Sequence, residues 1–175
     1  PFTSKESLYD ASEASRFLGV KLDTIRIEQA MNAFDAMLND IFVGKLKDTT
    51  EENIQARARG ITLMAISNKL GHMVLSTGNK SEMSVGYSTL YGDMCGGYSV
   101  LKDLYKSTVF KLSKWRNKNH NDIFMGPKSQ VIPDRIITKP PSAELKPNQI
   151  DQDTLPPYNE LDAILHLMIE DEMSI

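Results

Sequence analysis

With 175 residues and 41% hydrophobic content, the chain has enough apolar material for one domain with a sizeable core and too little for two complete ones. Its 20 basic and 23 acidic side chains are spread along the sequence and leave a formal net charge of -3, which excludes a broad electrostatic nucleic-acid surface. A single cysteine excludes an intrachain disulfide, and no apolar run approaches the roughly 20 residues of a membrane helix, so a soluble, cytoplasmic protein is expected.

The opening Pro1-Phe2-Thr3 is not a translation start, so the chain is expected to begin inside a longer polypeptide. Thr3 to Leu18 reads as a helix: Thr3 and Glu6 fit a capping box, Leu8, Ala11, Ala14 and Leu18 follow helical spacing, and Gly19 is a natural C-cap. Val20 to Ile27 alternates in the manner of a strand. From Glu28 to about Val43, the residues Ala30, Met31, Phe34, Met37, Leu38 and Ile41 form one helical stripe, most simply core.

Thr49-Thr50-Glu51-Glu52 supplies a second capping box and opens a long helix that runs to about Leu70 and stops at Gly71. Its first half is polar. Its later half carries Ile61, Leu63, Met64 and Ala65. Asn53 and Arg57 lie four residues apart and share one face, either as solvated surface or as two groups gripping one ligand.

The segment from Gly71 to Gly97 holds six of the ten glycines and only three Asp, Glu, Lys or Arg residues. Met73-Val74-Leu75 running into Ser76-Thr77-Gly78 predicts a buried strand that delivers its end to a tight turn. Beyond it, the Gly-rich backbone with Thr and Ser hydroxyls can cradle phosphate, or simply connect elements of an α/β domain.

Leu104 to about Arg116 predicts a helix with Val109, Leu112 and Trp115 turned inward and Lys106, Lys111 and Lys114 outward. Lys106 opposes the helix dipole, which suggests either a compensating anion or a plain surface position. Asn117 to Gln130 reads as a loop and Pro133 to Thr138 as a short helix. Lys139 to Pro157 contains five of the eight prolines, and Ser142 and Glu144 sit where Pro140-Pro141 stiffens the backbone. Tyr158 to about Met168 closes the chain as a helix carrying Leu161, Ile164, Leu165 and Met168. His72, His120 and His166 are too dispersed to argue for zinc. Alternating helix and strand predict an α/β domain with a doubly wound parallel sheet, whose ligand site lies beyond the strands' carboxyl ends, at Thr77 to Glu82.

Three stretches, TTEENIQARARG, LSTGNKSEMSVGYSTLYGDMCGGYSVLKDLYK and KPPSAELKPNQIDQDTLPPYNELD, strongly resemble, in the family's order, the synthetase domain of glutamine-dependent NAD synthetase. The resemblance implies an adenine-nucleotide alpha-hydrolase-like (Rossmann-like) fold of the ATP-pyrophosphatase group. It implies a reaction in which ATP adenylylates the nicotinate carboxylate of deamido-NAD, releasing pyrophosphate, and ammonia then displaces AMP to give NAD. By the same resemblance Thr77, Lys106 and Ser142 contact ATP, and Asn53, Arg57 and Glu82 contact deamido-NAD, with Glu82 alternatively a ligand for Mg2+. No general acid, base or nucleophile is implied. Cys95 does not correspond to the family's glutaminase nucleophile.

The resemblance further implies a glutaminase domain in the same parent chain and a homodimer or higher assembly, for which Glu28 to Val43 and Glu51 to Leu70 offer the interface. The family's SGGxDS pyrophosphate loop is absent, as are the glutaminase machinery and a carboxyl-terminal basic segment. Residues 1–175 are therefore expected to be a partial synthetase domain, incomplete on its N-terminal side and inactive alone. The alternatives are another ATP-pyrophosphatase, of GMP-synthetase-like or tRNA-thiolating type, and a non-catalytic nucleotide-binding module.

Overall fold

The computed structural model describes residues 2–124 and 126–174. The chain divides into two compact units, one of Ile25–Leu104 and the other of Phe2–Thr24 with Tyr105–Ile175.

The first unit contains α2 (Glu28–Leu38), α3 (Thr49–Leu70), β1 (Leu75–Ser76), α4 (Lys80–Ser84) and β2 (Tyr98–Ser99), following α1 (Lys5–Leu18) of the second unit in the chain. Helix α3 starts where the carboxylate of Asp48 accepts the Thr50 N–H at 2.7 Å and the Asp48 N–H reaches Glu51 Oε2 at 2.8 Å. The N-cap is thus Asp48, one residue earlier than the sequence suggests. The helix ends at Gly71, whose φ of 68° a residue with a side chain adopts only at a cost. Strands β1 and β2 pair in parallel, with Leu75 beside Tyr98 and Ser76 beside Ser99.

Burial along α3 is the reverse of the expected pattern. Its buried residues are Gln55, Ala56, Ala58 and Gly60 in the polar half, whereas Ile61 and Leu63 are exposed. The reason is the Gly-rich segment, whose backbone comes against the small residues of the first half. A Cβ added at Gly60 would lie 2.8 Å from the Tyr91 carbonyl oxygen and 2.9 Å from that of Gly92, and one added at Gly92 would lie 2.9 Å from Ala56 Cβ.

Other expectations are corrected as well. The stripe on α2 is half-buried at best: α2 packs against α3, yet no α2 residue is fully buried, Met37 and Ile41 are exposed, and the regular helix stops at Leu38. Met73 and Leu75 are exposed, so the predicted buried strand shrinks to two residues of which Ser76 alone is buried. Val20 to Ile27 is not a strand: it has no ladder partner among the described residues, Val20, Leu22 and Ile25 are exposed, and the boundary between the units falls within it.

The second unit contains α1, α5 (Lys106–Lys118), α6 (Asp134–Thr138), a 3-10 turn at Asp151–Asp153 and α7 (Tyr158–Ile169). Ser4, not Thr3, caps α1: its hydroxyl accepts the Ser7 N–H at 3.1 Å. The core here is Tyr158, Leu161 and Leu165 of α7, with Tyr105 and Leu155 packed against them. Helix α5 packs on α6 and α7, and α1 on α6. Leu112 and Trp115, expected inward, are about half exposed, whereas Lys106 and Ser107 of α5 meet Tyr158 and Asp162 of α7. The proline-rich stretch from Lys139 to Pro157 is irregular apart from the 3-10 turn, as expected.

Candidate functional site

In the first unit, Asn53 and Arg57 lie on the same face of α3 as Ala56 and Gly60, the face that meets the Gly-rich segment. The Thr89 hydroxyl donates to Asn53 Oδ1 at 3.0 Å, and the Thr89 N–H donates to Asp93 Oδ1 at 2.7 Å. Arg57 donates through Nε to the Leu90 carbonyl at 3.2 Å. Both residues therefore hold the loop in place. Arg57 is nevertheless exposed, and its two terminal nitrogens have no partner among the described residues. An anchored guanidinium with four N–H donors left is suited to a carboxylate or a pyrophosphate bridge.

The TGNKSE run folds as a turn into α4. Asn79 Oδ1 accepts the Glu82 N–H at 3.0 Å, the Asn79 N–H reaches Glu82 Oε2 at 3.3 Å, and the Lys80 N–H donates to the Leu104 carbonyl at 2.9 Å. Three amides of the expected phosphate cradle are thus used within the chain, and Ser81 is fully buried. The exposed group of this run is Thr77, immediately past β1.

In the second unit, Lys106 opens α5. Its ammonium lies 5.5 Å from the Tyr158 ring centroid and 6.0 Å from that of Phe110, within cation–π range. The buried Asp162 carboxylate accepts the Ser107 N–H at 2.8 Å. A buried carboxylate of the chain thus meets the positive end of the α5 dipole, and the dipole argument alone no longer requires a ligand. The Tyr158 hydroxyl donates to the buried Asp151 at 2.7 Å, and the Asp151 N–H donates to the Pro141 carbonyl at 2.9 Å, fixing the loop that carries Ser142.

Ser142 Oγ accepts the Glu144 N–H at 3.1 Å. Burial pushes the Glu144 carboxyl pKa up, but hydrogen bonds from Ser7, Lys139 and Ser4 outweigh it and hold the group below its usual value. Of the residues expected at the site, Asn53, Arg57, Thr77 and Glu82 lie in the first unit and Lys106 and Ser142 in the second.

Sequence reasoning does not single out Thr89 or Asp93, although Asp93 is one of only three charged residues between Gly71 and Gly97. For a magnesium ion, the described residues contain no group of three or more His, Cys, Asp or Glu side chains that could hold one. Glu82 offers a single carboxylate, which fits only a site where substrate phosphates and water supply most of the ligands.

The family model described as NAD synthase matches residues 1–174. The chain belongs to the NAD synthase family. The chain is 54% identical over 174 residues to a glutamine-dependent NAD(+) synthetase of Rhodobacter capsulatus, covering 99% of the chain and 32% of that protein. It is also similar to the solved structure of glutamine-dependent NAD+ synthetase from Acinetobacter baumannii in complex with adenosine diphosphate. There the identity is 46% and the TM-score 0.74, over 99% of this chain and 29% of that one. An NMN synthetase structure from Francisella tularensis is 28% identical with a TM-score of 0.79, over 99% of this chain and 64% of that one. The chain therefore spans about a third of the length of the curated relatives it matches. The likeness to these structures and the parallel pairing of β1 and β2 are consistent with a Rossmann-like fold. Among the described residues, no helix is long and apolar enough to cross a membrane.

Proposed function

We propose that this chain is part of the amidating domain of a glutamine-dependent NAD synthetase. The observation that carries the reading is the 54% identity over nearly the whole chain to a protein of that name. In this reading the nicotinate carboxylate of deamido-NAD attacks the α-phosphorus of ATP and pyrophosphate leaves. Ammonia, released from glutamine in a glutaminase domain of the same parent chain, then attacks the acyl carbon and AMP leaves.

The work of the protein is charge neutralisation, alignment and exclusion of water rather than covalent catalysis. Arg57, held through Nε, offers its terminal nitrogens to the dinucleotide's pyrophosphate or carboxylate beside Asn53. The Thr77 and Ser142 hydroxyls and the Lys106 ammonium serve ATP, the ammonium offsetting charge on departing pyrophosphate. Glu82 contacts deamido-NAD or gives one oxygen to Mg2+, which when bound neutralises the nucleotide phosphates. The same reading takes residues 1–175 as part of a doubly wound parallel sheet of the adenine-nucleotide alpha-hydrolase-like kind. It places the protein in the cytoplasm.

Because the SGGxDS loop is absent from these 175 residues, the chain by itself is expected to make no NAD. Incubation with ATP, Mg2+, deamido-NAD and ammonia tests this, and clear turnover would overturn it. Calorimetry tests the substrate class: deamido-NAD binding supports the synthetase, ATP binding alone another ATP-pyrophosphatase, and neither a non-catalytic fragment. The likeness to NMN synthetase favours a second reading, in which the acceptor is a mononucleotide; competition between the two acceptors decides it.

The reading includes a homodimer or higher assembly through α2 and α3, supported by the exposure of Met37, Ile61 and Leu63. Light scattering that finds only monomer would remove that part.

A further inference from the structure

Glu144 has a φ of 50°, a left-handed conformation that a residue with a side chain keeps only where its surroundings over-determine it. Here the surroundings are polar and come from far along the chain. The carboxylate accepts the Ser4 hydroxyl at 2.9 Å, the Ser7 hydroxyl at 2.7 Å and the Lys139 ammonium at 2.9 Å, all on Oε1, and the Ser4 N–H at 3.2 Å on Oε2. Lys139 places its other two N–H bonds on Ser4 Oγ and Ser7 Oγ, at 3.1 and 3.0 Å, so all three of its donors are used inside this cluster. The cluster joins the start of α1 to the proline-stiffened loop across 140 residues of sequence.

The consequence falls on Ser142. The left-handed turn at Glu144 directs its N–H onto Ser142 Oγ at 3.1 Å, so that oxygen is already an acceptor. The hydroxyl hydrogen has no acceptor among the described residues. A hydroxyl oriented by this bond keeps its O–H for a donation outward, and a phosphate oxygen, which only accepts, is a natural complement to that donor.

We propose that Glu144 is a positioning residue, locked by Ser4, Ser7 and Lys139, that sets the Ser142 hydroxyl as a hydrogen-bond donor to a phosphate oxygen of bound ATP. The proposal rests on the reading of Ser142 as an ATP contact.

The test is a double-mutant cycle on the full-length protein, read as the ATP dissociation constant by calorimetry. Ser142→Ala is expected to weaken ATP about tenfold, as loss of a hydrogen bond to a charged group does. Glu144→Ala should weaken it by a similar factor in the otherwise native protein and by less than about twofold once Ser142→Ala is present, because the two act as one unit. The affinity for deamido-NAD should stay unchanged throughout, which a general loosening of the domain would not allow. Ser7→Ala removes one donor to the carboxylate and gives a milder variant should Glu144→Ala fold poorly; about a threefold loss, again absent in the Ser142→Ala background, is expected.

Equal losses with and without Ser142, or no loss in Glu144→Ala and Ser7→Ala while Ser142→Ala weakens ATP, would overturn the proposal and leave the reading of Ser142 standing. Unchanged ATP affinity in Ser142→Ala would overturn both.

Discussion

Arg135 grips Asp10 through Nε and Nη2 with contacts of 2.7, 2.9 and 3.0 Å, joining α6 to α1 across 125 residues of sequence. Asp10 is buried, and the Arg135 hydrogen bond holds its carboxyl below the ordinary 3.8, the main effect among several. The guanidinium also lies 5.4 Å from the Tyr9 ring centroid. The second unit is thus tied by charge-assisted hydrogen bonds as well as by its small apolar core.

This contact sets an acid limit on stability. Asp10 and Glu144 both have lowered pKa values in the folded state, so the unfolded chain binds more protons as the pH drops, and stability rises with pH through that window. The contribution is fully present above the unfolded carboxylate values, that is above about pH 5, and is lost as the pH falls through the lowered folded values. Thermal unfolding of Asp10→Asn should show a lower midpoint at neutral pH and a shallower acid decline. A decline as steep as that of the native chain would mean that Asp10 is not responsible.

Gly60 offers a test of the approach between α3 and the Gly-rich segment. On an open helix, glycine to alanine stabilises by about 1 kcal/mol. At Gly60 the added Cβ would meet two backbone oxygens, of Tyr91 and Gly92, inside 3 Å, and backbone cannot swing aside as a side chain does. Gly60→Ala is therefore expected to destabilise by about 1–3 kcal/mol in denaturant unfolding. A neutral or stabilising result would show that the segment is not seated on the helix as described.

Arg57 is where anchoring and binding are to be separated. A lysine cannot bond the Leu90 carbonyl and present a planar fork at the same time. Arg57→Lys is expected to weaken deamido-NAD about tenfold, near 1.4 kcal/mol, while ATP affinity is retained. A matched loss of both ligands would instead indicate a displaced loop.

The helices were legible in the sequence because their signals are local. A capping acid or hydroxyl, a glycine at a left-handed stop and a proline before a first turn act within a few residues, and α1, α3, α6 and α7 lie close to where those signals put them. The shared face of Asn53 and Arg57 was legible for the same reason, since helical spacing is arithmetic.

What each face would meet was not. Gln55 is buried and Ile61 exposed because backbone near Gly92 reaches Ala56 and Gly60, and every residue carries a carbonyl, so nothing in the letters marks those of Leu90, Tyr91 and Gly92 as partners. Val20 to Ile27 has the alternation of a strand, but a strand exists only where a neighbour pairs with it. The amino-acid order by itself determined the longer helices, the N-caps of α1 and α3 to within one residue, and the family. The tertiary structure alone decided which faces are buried, where the compensating anion of α5 lies and which way Ser142 hydrogen-bonds, because those depend on groups up to 140 residues apart in the chain.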